Sequence, residues 1–123
     1  LYSRVKGSEW KTWSRVHQLL ADYYHNAPNG IPGNDDTGTM SAWAVFSMMG
    51  FYPDCPGDPS YTLTLPVFDQ VDLTLPGGKS LTISKARSAK PAKVTSVRLG
   101  GRKPASYRIS HETLVSTGTI RWQ

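Results

Sequence analysis

The chain has 123 residues, of which 38% are hydrophobic, and fourteen Lys and Arg against nine Asp and Glu give it a formal net charge of +5. This length fits one domain or part of one, and the composition allows a buried core. No apolar run approaches the roughly 18 residues that a membrane-spanning helix needs, and the single cysteine, Cys55, excludes an internal disulfide.

The charge is divided unevenly along the chain. Residues 1–78 hold four basic and eight acidic side chains, whereas residues 79–123 hold ten basic side chains and one acid, Glu112. A basic half raises the question of nucleic acid or another polyanion as partner. Because the basic residues are spread singly, without interleaved aromatic side chains, we favour a solvated sheet face and expect no nucleic-acid partner.

Residues 9–26 are predicted to form an amphipathic helix, with Ser8 as its cap and turn residues after it. The apolar residues of this segment recur at helical spacing: Trp10, Trp13, Val16, His17, Leu20, Tyr23 and Tyr24. A helical stripe of this kind normally faces the protein interior, so we expect core packing and a structural role for His17.

A Gly-rich acidic turn then leads directly into a second, apolar helix. Residues 40–49 leave almost no polar face, so we expect this helix to be buried on every side. Gly50 is predicted to adopt the left-handed conformation after its last turn, and Pro53 prevents continuation. Asp35 and Asp36 therefore lie near the N-terminus of the helix, where its dipole favours the ionised carboxylate.

Two interpretations of this acidic pair stay open from the residues alone. The aspartates can cap the helix, or one can act as a general base that deprotonates water, with the acid supplied from elsewhere. Neither glutamate, Glu9 or Glu112, lies in a comparable loop. Since Asn34, Asp35 and Asp36 are adjacent, their spacing does not match an EF-hand Ca2+ loop.

Beyond residue 60 the hydrophobic period becomes two, which predicts β-strands. The hairpin is predicted at residues 75–83, with Gly77 and Gly78 as its two-residue turn. Strands are predicted at residues 61–65, 67–75, 94–99, 107–109 and 119–123, a turn or helical turn at 110–115, and a linker-like stretch at 86–93. The chain is therefore predicted to be α+β, divided into residues 1–52, a turn-rich linker at 53–60, and a β-rich segment at 61–123.

The sequence from Gly33 to Trp43, followed by Val45-Phe46 and the Gly-Phe-Tyr-Pro of residues 50–53, resembles the C-terminal signature of family 92 of the glycoside hydrolases. Those enzymes are Ca2+-dependent, inverting exo-α-mannosidases, and many act on α-1,2-linked mannose. Further stretches are similar to the family's tail, so the resemblance covers nearly the whole chain: residues 10–12, 55–57, 75–79 and 109–112.

The resemblance implies that residues 1–52 are the last helices of an (α/α)6 barrel and that the rest forms antiparallel β-sandwich-type strands. The chain would then be a fragment of a larger enzyme, inactive alone, whose general acid and most Ca2+ ligands lie upstream of Leu1. Its partners would be mannose-terminated glycans and the remainder of the parent enzyme, with no membrane. The family implies an extracellular or periplasmic location; no stretch of this chain has the pattern of a signal peptide.

The resemblance also implies a site. It makes Asp36 the first candidate and Asp35 the second candidate for the catalytic base, and it assigns no metal ligand within this chain. The residues that would bind substrate are Asn34, Gly33 and Trp43.

Two positions depart from the family pattern near this site. Thr39 stands where Gln is common and Ala44 where Tyr is common, and both changes bear on substrate preference or activity. The alternative function is a non-catalytic carbohydrate-binding or assembly module of the same ancestry.

Overall fold

The structure, a computed structural model, describes residues 2–87 and 96–123. The predicted linker at 86–93 lies almost wholly outside the described residues, as do the first two positions of the strand predicted at 94–99. The elements follow in chain order: α1 (Trp10–Tyr23), α2 (Thr39–Met49), β1 (Phe51–Tyr52), β2 (Ser60–Leu63), β3 (Gln70–Thr74), β4 (Ser80–Lys85), β5 (Val97–Leu99), β6 (Arg108–Ser110), α3 (His111–Ser116) and β7 (Thr119–Trp122).

These elements confirm the predicted α+β class, and short 3-10 turns occur at Tyr2–Arg4 and Pro76–Gly78. Within the described ranges, no helix is both long enough and apolar enough to span a bilayer.

The strands form two sheets, one with the order β1-β2-β6 and one with the order β3-β4-β7-β5. All pairs are antiparallel except β4 and β7, which run parallel with Ile83 opposite Ile120. Sequence alternation predicted strands but not the parallel pairing of β4 with β7. A period of two shows which face of a strand is buried, but it does not show the direction of the neighbouring strand.

The predicted hairpin is present, but its turn is longer than expected. β3 pairs with β4 as far as Thr74 opposite Ser80. The Leu75 N–H then donates to the Lys79 carbonyl at 2.8 Å, so the turn encloses Pro76 and both glycines. The two-residue turn was therefore wrong, because Pro76 has no N–H to donate to the ladder and belongs to the turn instead.

One buried cluster joins the first helix to both sheets. Trp13 of α1 is 1% exposed and its ring centroid lies 5.3 Å from that of Trp122 and 5.0 Å from that of Tyr107. The other buried members come from the strands, α3 and their connections: Phe51, Leu63, Leu65, Leu81, Ile83, Val97, Ile109, Leu114 and Ile120. The helical and β-rich parts thus share a core, while the proposed division at 53–60 stays a prediction.

The first helix is shorter than predicted, and its stripe is only partly interior. Glu9 is its N-cap residue and makes no side-chain cap bond, so the cap predicted at Ser8 was wrong. Trp13 and Leu20 are buried, whereas Trp10 is 42% and Tyr23 53% exposed. Helical spacing predicts which face of α1 is apolar, but the described residues bury only the middle of that face.

The second helix begins at Thr39 and ends at Met49, followed by Gly50 with φ of 99°, which confirms the predicted left-handed position. Burial on every side is not observed: Ala44 and Ser47 are buried, but Val45 is 54% exposed. The apolar composition of α2 predicts that other residues surround it, but the described residues cover only part of its surface.

The C-terminal end of α2 is fixed by the connection between β2 and β3. The N–H of Thr64 donates to the Gly50 carbonyl and the N–H of Val67 to the Met48 carbonyl, both at 2.9 Å. The same connection is tied to β4, because the Lys85 ammonium donates to the Pro66 carbonyl at 3.1 Å and also to the Val67 carbonyl.

The connection is tied to α1 as well. His17 Nε2 lies 2.8 Å from the Leu65 carbonyl oxygen. Burial lowers the pKa of His17 from its ordinary value of 6.5; the Leu65 hydrogen bond opposes that shift and the positive charge of Lys85 adds to it. The neutral imidazole is therefore favoured in the folded protein.

We expect Gly50→Ala to lower the free energy of unfolding by about 2 kcal/mol or more, because left-handed strain at a non-glycine residue alone costs about 1–3 kcal/mol. A Cβ at residue 50 would also lie 2.9 Å from the Thr64 carbonyl oxygen. Gly57→Ala is the matched control, since its φ is 79° with no atom within 4 Å of the added Cβ. Equal losses in denaturant titrations of both variants would contradict this account of Gly50.

We expect the protein to lose stability as the pH falls below the ordinary His17 pKa of 6.5. The folded pKa is the lower one, so the unfolded chain binds the proton more readily in this window and protonation favours unfolding. Thermal melts between pH 7 and pH 5 should show the slope in the wild type and a weaker slope in His17→Gln. His25→Gln, which changes an exposed imidazole, should keep the wild-type slope.

Candidate active site

Asp35 is bound to the beginning of α2. Its Oδ1 atom accepts a hydrogen bond from the Ser41 N–H at 2.8 Å and another from the Ser41 hydroxyl at 2.9 Å. The Asp35 carbonyl also accepts from the Met40 N–H at 3.1 Å. Two N–H groups of the first helical turn therefore find their acceptors at Asp35, which satisfies them as a cap does although the N-cap position itself is Gly38.

Asp36 has the opposite environment. Its side chain is exposed, and within residues 2–87 and 96–123 no hydrogen bond or ion pair reaches its carboxylate. Only its backbone carbonyl is engaged, by the Thr39 hydroxyl at 2.8 Å and the Thr39 N–H at 3.3 Å. The two adjacent carboxylates thus differ, because that of Asp35 is hydrogen-bonded to Ser41 whereas that of Asp36 faces solvent.

The backbone explains why the two side chains diverge. Asp36, Thr37 and Gly38 have φ angles of 48°, 61° and 88°, so three successive residues are left-handed. The conformation is natural for Gly38 but costs energy at the other two, of order 1 kcal/mol or more each. Strained residues of this kind concentrate at functional sites, which makes this loop the foremost candidate in the described chain.

The predicted substrate residues at the loop's start are exposed, as Asp36 is. Asn34 is exposed, and Gly33 is exposed with φ of 90° and no atom within 4 Å of an added Cβ. The chain enters this loop from a compact turn in which the His25 N–H donates to the Gly30 carbonyl at 2.8 Å. The turn anchors the loop on its N-terminal side.

Trp43, the third predicted substrate residue, is half-buried and stacks on Tyr24. The two ring centroids are 5.5 Å apart and the ring planes differ by 28°. The Tyr24 hydroxyl donates to the Met40 carbonyl at 3.4 Å. Burial raises the pKa of Tyr24, and the negative charge of Asp35, with that of Tyr52 once it ionises, raises it further. Sequence reasoning had assigned Tyr24 only to the aromatic stripe of α1.

The two departures from the family pattern both lie beside the loop. Thr39 donates its hydroxyl to the Asp36 carbonyl, as described above. Ala44 lines a cavity of about 460 Å³ between α2 and the turn before the loop, together with Tyr24, Ser41 and Met48. A small residue at position 44 leaves this cavity more open than a Tyr side chain would.

Other candidate groups lie apart from this loop. His111 Nδ1 is 3.0 Å from the Tyr61 hydroxyl, and Cys55 is an exposed free thiol. In the described part of the chain, no group of three or more His, Cys, Asp and Glu side chains is placed to hold a metal ion.

The sequence matches the family model described as the glycosyl hydrolase family 92 catalytic domain over residues 1–123. The chain belongs to glycosyl hydrolase family 92.

A curated relative of this family 92 chain is an uncharacterized secreted glycosidase of Arthroderma benhamiae. It is 30% identical over 110 residues, which cover 86% of this chain and 14% of the relative. The family resemblance inferred from the sequence is therefore confirmed.

Two solved structures from Bacteroides thetaiotaomicron share the fold. One is a family 92 inverting mannosidase, 34% identical with a TM-score of 0.80, matched over 93% of this chain and 16% of its own. The other is a family 92 α-mannosidase, 24% identical with a TM-score of 0.77, matched over 92% of this chain and 15% of its own. The family 92 chain thus spans about a sixth of the length of these proteins.

We expect Asp35→Ala to destabilise this family 92 chain by about 0.5–2 kcal/mol, the usual cost of losing a helix cap. The variant leaves the Ser41 N–H and hydroxyl without their acceptor. Asp22→Ala, which removes an exposed carboxylate from α1, should change stability by less than about 0.5 kcal/mol. Chemical denaturation of both variants tests the capping role, and equal midpoints would refute it.

Proposed function

We propose that this chain supplies the catalytic-base loop of an exo-α-mannosidase that removes terminal α-linked mannose, chiefly α-1,2-linked, from glycans. Membership of family 92 makes it part of a glycosidase family, and its structural relatives include an inverting mannosidase and an α-mannosidase. The observation that carries the proposal is the exposed Asp36 carboxylate, which pairs with no described residue, beside the Asp35 carboxylate that is hydrogen-bonded to Ser41.

In an inverting glycosidase, one carboxylate removes a proton from water while an acid on the opposite side protonates the leaving oxygen. We assign the first role to Asp36. As the water oxygen bonds to the anomeric carbon, the proton moves to the Asp36 carboxylate and the glycosidic C–O bond breaks on the opposite face. An unpaired carboxylate suits this task, because a base whose lone pairs already accept hydrogen bonds is less available to the water proton.

Asp35 is assigned a supporting role in this proposal. Its carboxylate already accepts two hydrogen bonds from Ser41, so it is the less available base. It fixes the start of α2 and thereby the loop that carries Asp36. The acid must come from another part of the enzyme, since Glu9 precedes α1 and Glu112 lies in α3, both outside this loop.

We propose that Asn34, Gly33 and Trp43 bind the sugar. The Asn34 amide offers both donors and an acceptor to sugar hydroxyls. Gly33 has open space where a Cβ would lie, so a ligand can approach its backbone closely. Trp43 carries a half-buried ring on α2, against which a sugar ring can pack.

The family implies Ca2+, and the described residues alone do not fit a complete site for it. They contain no cluster of three or more acidic, His or Cys side chains placed for a metal ion. We therefore propose that the Ca2+ ligands lie mostly outside this chain, and no step of the mechanism is derived through the ion.

We also propose that the enzyme acts outside the cytoplasm, in an extracellular or periplasmic location. The support is that the fungal relative is named a secreted glycosidase. Mannose-terminated glycans and the remainder of the parent enzyme are the proposed partners.

The decisive experiment compares Asp36→Asn with two other aspartate variants in the intact enzyme that contains this chain. Asp36→Asn should lower kcat on α-1,2-mannobiose by about 10²–10⁴-fold, the usual contribution of a general base. Asp35→Asn should lose less, because an Asn oxygen can still accept from Ser41. Asp22→Asn should keep wild-type turnover.

Several outcomes would contradict the proposal. Near-normal turnover by Asp36→Asn would remove it as the base. Release of α-mannose rather than β-mannose as the first product, seen by NMR, would exclude inversion. Faster cleavage of α-1,3- or α-1,6-linked disaccharides would overturn the linkage preference. Mannoside binding without mannose release by the intact wild type would favour the alternative, a non-catalytic carbohydrate-binding or assembly module.

A further inference from the structure

We propose that Tyr24 is a positioning residue that holds the aspartate loop in its working geometry; this inference rests on the proposed role of Asp36. Tyr24 is the first residue after α1, with φ of −117° and ψ of 123°. Its N–H donates to the Leu20 carbonyl at 3.2 Å, so its backbone is fixed to the end of the helix. The side chain therefore starts from a rigid point.

From that point Tyr24 contacts the first two turns of α2. Its hydroxyl donates to the Met40 carbonyl at 3.4 Å, and its ring stacks on Trp43 at 5.5 Å. These contacts lie on either side of Ser41, which holds the Asp35 carboxylate. Tyr24 thus links the end of α1 to the residues that orient the loop.

The peptide groups of Met40 show how a change at Tyr24 reaches the loop. The Met40 N–H donates to the Asp35 carbonyl at 3.1 Å, while its carbonyl accepts from Tyr24. Asp36 follows Asp35 directly and begins the left-handed segment. A displacement of Met40 would therefore move Asp35 through their hydrogen bond, and Asp36 would move with it because it is the next residue in the chain.

The Tyr24 hydroxyl stays a donor throughout the neutral pH range. Burial and then the nearby negative charge of Asp35 raise the pKa of the phenol above its ordinary value of 10.0. The hydrogen bond to Met40 is therefore present at any pH at which a glycosidase carboxylate pair works. Tyr24 itself needs no change of protonation, which distinguishes a positioning role from acid or base catalysis.

The test uses the intact enzyme with Tyr24→Phe and the neighbouring Tyr23→Phe as matched control. Tyr23 is 53% exposed, and no hydrogen bond to its hydroxyl is found in the described residues. We expect Tyr24→Phe to lower kcat on α-1,2-mannobiose by about 5- to 10-fold, the loss expected for one hydrogen bond. The KM and the thermal midpoint should stay close to those of Tyr23→Phe, because the ring stacking is retained.

A double variant separates this role from simple packing. If Tyr24 acts through Asp36, adding Tyr24→Phe to Asp36→Asn should cause little further loss, since residues that act as a unit are non-additive. Full additivity would overturn the inference, as would an unchanged kcat in Tyr24→Phe or a raised KM at constant kcat. Failure of the proposed function shows separately, as retained turnover in the single Asp36→Asn variant.

Tyr24→Leu extends the same test to the aromatic contact. It removes both the hydroxyl and the ring stacking on Trp43, so kcat should fall further than in Tyr24→Phe. A Tyr24→Leu enzyme with the turnover of Tyr24→Phe would restrict the positioning role to the hydroxyl and contradict a role for the stacking. Should this variant fold poorly, Tyr24→Phe and the double variant still decide the inference.

Discussion

The two hydrogen bonds from Ser41 to the Asp35 carboxylate are the interaction on which the site depends. They satisfy the start of α2 and fix one of two adjacent acids to the helix. The chain must then turn back through Asp36 and Thr37 in the left-handed conformation before the helix can begin. The hydrogen bonds from Ser41 to Asp35 therefore help to offset the strain of these left-handed residues. Together they leave the Asp36 carboxylate directed to solvent.

Contacts at the C-terminal end of α2 also help to fix the Asp35–Asp36 loop at its N-terminal end. Gly50 allows the chain to pass close to Thr64, and the connection after β2 is tied to α1 by His17 and to β4 by Lys85. The helix is therefore fixed at both ends, by Tyr24 and the loop at one and by the core connection at the other. A site on a helix held in this way keeps its geometry better than one on a free loop.

The exposed apolar residues of α2 fit the relation between this chain and its family. The chain matches about a sixth of the length of the mannosidase structures, and the described residues cover only part of the helix. We propose that the acid and the Ca2+ ligands lie in other parts of the parent enzyme. In this proposal the chain contributes the Asp35–Asp36 loop, with its exposed Asp36 carboxylate, to a site completed by the rest of that enzyme.

The sequence by itself determined the family and most of the elements, although it predicted no strand at Phe51–Tyr52. Apolar spacing located α1 and α2, the glycine at position 50 marked the end of α2, and alternation located the strands, because these patterns depend on each residue's own backbone and solubility preferences. The adjacency of Asp35 and Asp36 was also visible, together with the choice between capping and catalysis.

Only the tertiary structure showed that the two aspartates have different surroundings. The difference depends on Ser41, six residues beyond Asp35, and on left-handed backbone angles that the residue types Asp and Thr do not predict. The parallel pairing of β4 with β7 and the contact of Tyr24 with Met40 were likewise beyond reach of the sequence. Both contacts join segments that are far apart in the sequence. A local sequence pattern predicts which face of an element is buried, but it does not predict which other element packs against that face.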